Sequence, residues 1–226
     1  MLCGDRGLRA APMNEISRFD GSGGFSVLAG LSDETEVAVY YTAGESNRRA
    51  RIDRDNAALS NLSNHLRIVW LTPREDRLFV ESASDRRAFF DRLVSSFDTV
   101  HSGRVAKLSK LLSERGFALK NNADDNWLRA IETQIASTAI AVAAARIRYA
   151  GEINYFLENA AVSVTGMVEA LLLNGTETDA EREYIQYLGT NRGLVGDKMV
   201  IDGAHKSDFG VFNRVLNLPV ALTSTG

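Results

Sequence analysis

Cysteine and proline are scarce in this chain, which has one cysteine, Cys3, and three prolines among its 226 residues. A single cysteine excludes an internal disulfide framework and is typical of a reducing compartment, so we expect a cytoplasmic protein. The first residues are too polar for the apolar region of a signal peptide. The most apolar stretch, residues 135–145, is shorter than the roughly 18 residues that a membrane span needs, so no membrane partner is expected.

A strong excess of one charge and a metal-ligand spacing are missing as well. The net charge of −3 neither predicts nor excludes nucleic-acid binding, because what counts is the clustering of cations on one face. His65, His101 and His205 have no metal-ligand spacing with one another or with Cys3, so we predict no metal site. His205, Ser207 and Asp208 are too close in sequence to be read as a catalytic triad, and we predict no catalytic residues.

No proline lies between residues 74 and 218, and a long proline-free middle favours helices. Before it, residues 25–31 and 36–42 alternate with a period of two and predict strands, and residues 48–53 predict the hairpin partner of the second strand. The middle changes to a period of 3.6. Its best stripe has one apolar or small residue every three to four positions: Trp127, Ile131, Ile135, Thr138, Val142, Ala145, Tyr149, Ile153 and Phe156.

These patterns predict an α+β (α/β) fold in the order β-rich, helical, β-rich. We place the segments at residues 1–83, 84–192 and 193–226. A β-rich domain interrupted by a helical insertion explains this order economically, and two consecutive independent domains are the alternative. We expect residues 127–156 to form one long helix that packs antiparallel to the helix around residues 104–119, as an arm.

Residues 66–91 are the most informative part of the chain. The apolar run at 68–71 predicts a strand that stops at Thr72-Pro73, because proline cannot continue a strand ladder. A helix then begins, with Ser84 as the expected N-cap and Asp85 on its positive end. Its first turns contain paired arginines followed by aromatic residues and an acid: Arg86, Arg87, Phe89, Phe90 and Asp91.

Two later segments complete a pattern. The first reads Asp202-Gly203-Ala204-His205-Lys206-Ser207-Asp208-Phe209, and the second is the end of the chain, Ser224-Thr225-Gly226. With the Thr-Pro strand end and the Arg-Arg-x-Phe-x-Asp helix, they resemble the RecF family of bacterial recombination-mediator ATPases, in which such segments occur in the same order. Ala204 and Lys206 replace the proline and arginine of the family's Gly-Pro-His-Arg-x-Asp segment.

The resemblance implies an incomplete ABC-type ATPase head that is β-rich and interrupted by an antiparallel helical arm. It also implies a role in DNA replication and repair. Members of this family bind single- and double-stranded DNA and gaps as an ATP-dependent homodimer, work with RecO and RecR partners, and help to load recombinase. ATP and Mg²⁺ are the cofactors of the intact family.

Two features that such an ATPase needs are missing from the sequence. It has no Gly-x-x-x-x-Gly-Lys-Ser/Thr loop to hold phosphates, and no apolar strand ending in paired acids to hold Mg²⁺. In the family the loop precedes a segment like residues 6–9, and the acidic strand follows the signature loop. We therefore expect an internal fragment that neither hydrolyses ATP nor binds ATP or Mg²⁺ tightly. Ser224, Thr225 and Gly226 would be a remnant of the signature loop, which contacts ATP on the opposite subunit; a disordered tail is the alternative.

The remaining candidate site residues are basic. By resemblance, Arg86, Arg87 and Lys206 are candidate contacts to DNA or to the ATP-dependent dimer. The structural alternative for Arg86 and Arg87 is a pair of ion bridges, for instance Arg87 to Asp91 at i,i+4, and the alternative for Lys206 is a surface pair with Asp208.

Arg49 and Arg51 belong to the densest basic cluster of the sequence. On a strand they would share one face and could follow a phosphate backbone. The alternative is a solvated edge strand that is protected by charge.

A second class of function stays open, that of a non-enzymatic protein-interaction module acting through its helical arm. Only the missing phosphate loop favours it, and a truncated ATPase would explain that absence as well.

Overall fold

A computed structural model describes residues 11–73, 75–160, 162–165, 177–193 and 201–223. The chain folds into two compact units, Met1–Trp70 and Leu71–Gly226.

The first unit is built on an antiparallel meander. A short helix α1 (Met13–Ile16) precedes four strands that pair in chain order: β1 (Phe25–Gly30), β2 (Glu36–Tyr41), β3 (Arg49–Ile52) and β4 (Asp55–Ala57). Val37, Val39 and Ala50 alternate with exposed or half-buried residues and pack against Leu62 of a 3-10 helix. The strands and the hairpin partner predicted from the period of two are confirmed.

The turn between β3 and β4 fixes the position of the arginine-bearing strand. Asp53 and Arg54 have φ values of 49° and 74°, as a two-residue hairpin loop of type I′ requires. The Asp53 carboxylate accepts a hydrogen bond of 2.8 Å from the Glu36 backbone N–H. The hairpin pairs β3 with β4 on one side while β2 pairs on the other, so the edge-strand interpretation of Arg49 and Arg51 is wrong.

The predicted strand at residues 68–71 is also wrong, since the run has no regular secondary structure. Val69 and Leu71 are exposed. A strand needs a hydrogen-bonded neighbour, and no strand pairs with this run in the part of the chain that the structure describes. A local apolar pattern cannot provide that neighbour.

The second unit contains the long helices. They are α2 (Ala83–Phe97), α3 (His101–Lys120), α4 (Asp125–Phe156) and α5 (Glu177–Thr190). Helix α2 begins slightly earlier than the sequence suggests, because Ser82 and not Ser84 is its N-cap. The Ser82 hydroxyl accepts the Asp85 backbone N–H at 3.2 Å.

Helices α3 and α4 form the predicted antiparallel pair. Asp124 caps α4 by accepting the N–H groups of Asn126 and Trp127, and a short connection after α3 reverses the chain. The middle of the predicted stripe is buried, but Trp127 and Phe156 at its two ends are 59% and 80% exposed. Leu128 takes the buried position in the first turn, so the extent of the stripe was predicted wrongly at both ends.

A small antiparallel sheet completes the second unit. It consists of β5 (Val162–Thr165), β6 (Gly210–Asn213) and β7 (Leu218–Pro219), followed by the short helix α6 (Val220–Thr223). Asn154 of α4 donates to the Val164 carbonyl and accepts its N–H, which ties the sheet to the helix. A strand that residues 167–173 suggest lies outside the described residues. The segment boundaries 84–192 and 193–226 stay predictions.

None of the helices that the structure describes is long and apolar enough to cross a membrane.

Candidate functional site

Residues 203–208, here called the 203–208 turn, form the centre of the candidate site. The Gly203 carbonyl accepts the backbone N–H groups of Lys206 at 2.9 Å and Ser207 at 3.2 Å. A Cβ atom at Gly203 would clash with the Tyr184 hydroxyl oxygen, so a larger residue there would have to displace that side chain. That hydroxyl donates to the Asp202 carbonyl at 2.8 Å, and burial raises the pKa of Tyr184 far above its usual range. Helix α5 therefore holds the beginning of the turn.

Arg86 holds the end of the turn through a bidentate ion pair. Its Nε and Nη2 atoms donate to the two carboxylate oxygens of Asp208 at 2.8 and 2.6 Å, and Nη1 donates to the Glu81 carbonyl. These hydrogen bonds keep the pKa of Asp208 below its usual range. The Arg86 side chain is 17% exposed, so the pair lies at the protein surface but is mostly covered.

Arg146 of α4 holds the middle of the 203–208 turn through hydrogen bonds. Its side chain is almost fully buried, and Nη1 donates to the Ala204 carbonyl and to the Ser207 hydroxyl oxygen. Nε and Nη2 donate to the two Asp91 oxygens at 2.8 and 2.7 Å. Asp91 also contacts His101 Nε2 at 2.8 Å, so one carboxylate joins α2, α3 and α4.

The electrostatics of Asp91 follow from this arrangement. Burial alone would raise the pKa of Asp91, but the hydrogen bonds from His101 and Arg146 outweigh it, and the pKa lies below its usual range. The carboxylate is thus an anion whose two oxygens are already occupied. Asp91 pairs with Arg146, and the ion pair between Arg87 and Asp91 that was considered as the structural alternative is not formed.

Arg87 donates to backbone oxygens instead. Its Nη1 atom reaches the carbonyls of Lys206 at 3.3 Å and Ser207 at 3.1 Å. Burial and the nearby Arg146 cation lower the pKa of Arg87, in that order. Neither Arg87 nor Lys206 has a carboxylate partner among the described residues, so the surface pair considered for Lys206 with Asp208 is not formed.

Aromatic packing supports the site from the core. The Phe209 ring stacks on Phe90 with ring centroids 4.7 Å apart and also contacts Phe89 and Phe79. The chain therefore leaves the 203–208 turn directly into a buried aromatic cluster, which limits how far the turn can move.

A second buried charge network lies farther along the helices. Glu132 is 1% exposed and accepts from Arg115 Nε at 3.0 Å and from the Arg192 guanidinium. Arg115 also donates to the Leu188 carbonyl at the end of α5, and Arg192 reaches Asp125. This triad joins α3, α4 and the residues after α5, and nothing in its geometry points to a ligand.

Arg49 and Arg51 lie in the first unit, on the exposed face of β3. As predicted, they share one face, since the intervening Ala50 is buried. Arg49 pairs with Glu45 at 2.6 Å, while the Arg51 guanidinium lies 5.0 Å from the centre of the Tyr40 ring. They form a basic and aromatic surface.

The structure thus brings together Arg86, Arg87 and Lys206 from the predicted set. Ser224, Thr225 and Gly226 lie outside the described residues. Sequence reasoning missed Arg146, although one signal was available, since it stands at a core-facing position within an otherwise apolar helix. No group of acids, histidines or cysteines that could hold a metal occurs among the residues that the structure describes.

Comparison with solved structures defines the class of the fold. The structure of the recombination mediator protein RecF-ATPrS in the RecFOR pathway matches with a TM-score of 0.76 at 17% identity, over 99% of this chain and 64% of that chain. The structure of RecF-ATP in the same pathway matches with a TM-score of 0.70 over 96% of this chain. The fold is therefore that of an ABC-type ATPase head, with mixed α and β structure.

Sequence comparison finds similar proteins of one kind, although no protein-family model matches. The DNA replication and repair protein RecF of Mesorhizobium japonicum is 34% identical over all of this chain and 64% of its own length. RecF of Rhizobium leguminosarum is 34% identical, with 65% of its length covered, and RecF of Brucella abortus is 34% identical, with 62% covered. The chain is similar to RecF over its whole length, and it spans somewhat less than two thirds of the length of these relatives.

Proposed function

We propose that the chain acts in DNA replication and repair as RecF-type proteins do, binding DNA in an ATP-dependent dimer and assisting recombinase loading at single-strand gaps. Its partners would be DNA and mediators of RecO and RecR type. One observation carries the proposal: the whole chain is 34% identical to RecF, and the two segments that resemble the family pack against each other through Arg86 and Asp208.

ATP enters this proposal through two similar structures that are described with ATP or ATPrS, and Mg²⁺ enters it through the family resemblance alone. We propose Ser224, Thr225 and Gly226 as part of a signature loop that would face ATP on an opposite subunit. Because the sequence has neither a phosphate loop nor paired acids after an apolar strand, this chain alone should neither bind ATP tightly nor hydrolyse it. ATP turnover above background that a single substitution in this chain abolishes would contradict this.

The outer face of β3 offers contacts for DNA phosphates. Arg49 and Arg51 are exposed side by side, and Tyr40 presents an aromatic ring to the same surface. Arginine suits phosphate oxygens because its planar guanidinium donates several hydrogen bonds in a fixed geometry. The surface would position DNA without reading its sequence.

A salt titration of DNA binding tests this function. Binding of the chain to a fluorescently labelled gapped duplex is measured by anisotropy over a range of salt concentrations, for the parent and for an Arg49→Gln/Arg51→Gln variant. Loss of two phosphate contacts should weaken binding and reduce the slope of log affinity against log salt by about 2. Arg18→Gln, which removes an exposed arginine paired with Asp20, is the matched control. Equal slopes for all three proteins would argue against this surface.

A protein-interaction role for the helical arm is the second candidate. The observation that favours it is the exposure of two large aromatic residues near the turn between α3 and α4, Phe117 at 71% and Trp127 at 59%. A Phe117→Ser/Trp127→Ser variant that keeps DNA binding but loses binding to a RecR-type mediator would support this role.

A further inference from the structure

The cations around the 203–208 turn differ in what neutralises them. Arg86 is matched by Asp208, and Arg146 is matched by Asp91, each through two hydrogen bonds to the carboxylate oxygens. Arg87 has no carboxylate partner among the described residues, although it lies between these two pairs along the same turn.

Arg87 also has unused hydrogen-bonding capacity. Only its Nη1 atom donates to acceptors that the structure describes, the carbonyls of Lys206 and Ser207. A guanidinium has five N–H donors, so most of the N–H groups of Arg87 can donate to another acceptor. The acceptor best suited to it would be planar or tetrahedral and negatively charged.

Lys206 contributes a second uncompensated cation at the same place. Its carbonyl oxygen lies 3.3 Å from Arg87 Nη1, so backbone geometry brings the two residues together. Burial, and then the Lys206 and Arg87 cations, lower the pKa of the neighbouring His205, as expected where both cations lie near one imidazole. The other acid beside the 203–208 turn is Asp202, which directly precedes the turn and is exposed. Even with Asp202 counted, the cations around the turn outnumber the acids.

We propose that Arg87 and Lys206 form a phosphate-binding subsite. Arg86 and Arg146 hold the 203–208 turn in place, and the two unmatched cations bind phosphate oxygens. The source is either a DNA phosphodiester or the phosphate chain of a nucleotide. This deepens the proposed function, on which it rests for the choice of these two sources.

Inorganic phosphate tests the subsite without assuming DNA binding. Thermal unfolding of the 226-residue chain is followed while phosphate replaces chloride at constant ionic strength. A ligand that binds only the native state raises the unfolding midpoint with its concentration, so the parent should be stabilised and Lys206→Gln should lose most of the effect. Lys206→Gln should fold, because its amine has no partner in the described structure, and Lys206→Arg should retain the effect. Lys110→Gln is a matched exposed control, since Lys110 lies on α3 beside Glu114.

Arg87 needs a second variant because it also supports the turn. Arg87→Lys keeps one donor and the charge but loses the fork, so a folded Arg87→Lys chain should bind phosphate about five-fold more weakly than the parent. Equal phosphate stabilisation of the parent, Lys206→Gln and Arg87→Lys would overturn the subsite, as would no stabilisation of the parent at all.

Two further ligands identify the source of the phosphate. Binding of a labelled single-stranded oligonucleotide and of a labelled adenosine triphosphate is measured for the parent and for Lys206→Gln. A loss of about ten-fold for the oligonucleotide assigns DNA, and a loss for the nucleotide alone assigns the nucleotide. If the parent binds no oligonucleotide, the proposed DNA function fails, while the phosphate experiment still decides the subsite by itself.

Discussion

Replacing Arg146 with methionine should strongly destabilise the second unit. The Arg146 guanidinium donates to both oxygens of Asp91, to the Ala204 carbonyl and to Ser207 Oγ, and its side chain is 3% exposed. Methionine fills much of the same space but leaves the buried carboxylate with His101 as its remaining partner. Breaking one side of a buried ion pair typically costs about 3–5 kcal/mol.

Urea denaturation followed by circular dichroism measures this loss. Single domains unfold with free energies of about 5–15 kcal/mol, so a loss of about 4 kcal/mol removes a large part of the stability. Asp91→Leu/Arg146→Met, which replaces both charges, should recover much of it, because no uncompensated charge then stays buried. Arg146→Lys is the control that keeps the charge but not the two parallel hydrogen bonds.

The pH dependence of the unfolding free energy gives an independent check, because the pKa of Asp91 determines the direction of the change. The pKa of Asp91 is depressed in the folded protein, so its ionised form contributes stability that is complete above the unfolded value of about 3.9 and is lost as the pH falls through the folded value. The difference between parent and Arg146→Met should therefore be largest near pH 7 and shrink below about pH 4. A difference of less than about 0.5 kcal/mol at pH 7, the range usual for surface substitutions, would refute the reasoning.

Three further perturbations follow from the same contacts. Glu132→Gln should cost about 3–5 kcal/mol in urea denaturation, because Arg115 would stay buried without its anion. Gly203→Ala should cost about 1–3 kcal/mol, since the new Cβ meets the Tyr184 hydroxyl, and a Tyr184→Phe background should reduce that cost. Hydrogen bonds from Thr72 and then Arg92 lower the pKa of Glu75 to about 2, so the difference in unfolding free energy between parent and Glu75→Gln should be complete above pH 4.5 and vanish as the pH falls toward 2.

Local patterns in the sequence determined the secondary structure where neighbours along the chain supply the stabilising contacts. The alternation at residues 36–41 predicted β2, because one side of each strand is buried and the other is not. The 3.6-residue period predicted α4 and its antiparallel pairing with α3, because a short connection leaves a helix few other directions. The strand predicted at residues 68–71 was wrong for the opposite reason, since a strand depends on a partner that is distant in the sequence.

The candidate site was decided by the tertiary structure. The sequence resemblance selected Arg86, Arg87 and Lys206, but it could not show that Arg86 is neutralised by Asp208, 122 positions farther along the chain. It also gave no role to Arg146, whose charge is buried because Asp91 and the Ala204 carbonyl meet it there. Whether a cation is matched or left free depends on which groups folding brings within about 3 Å, and a linear pattern carries no such distances.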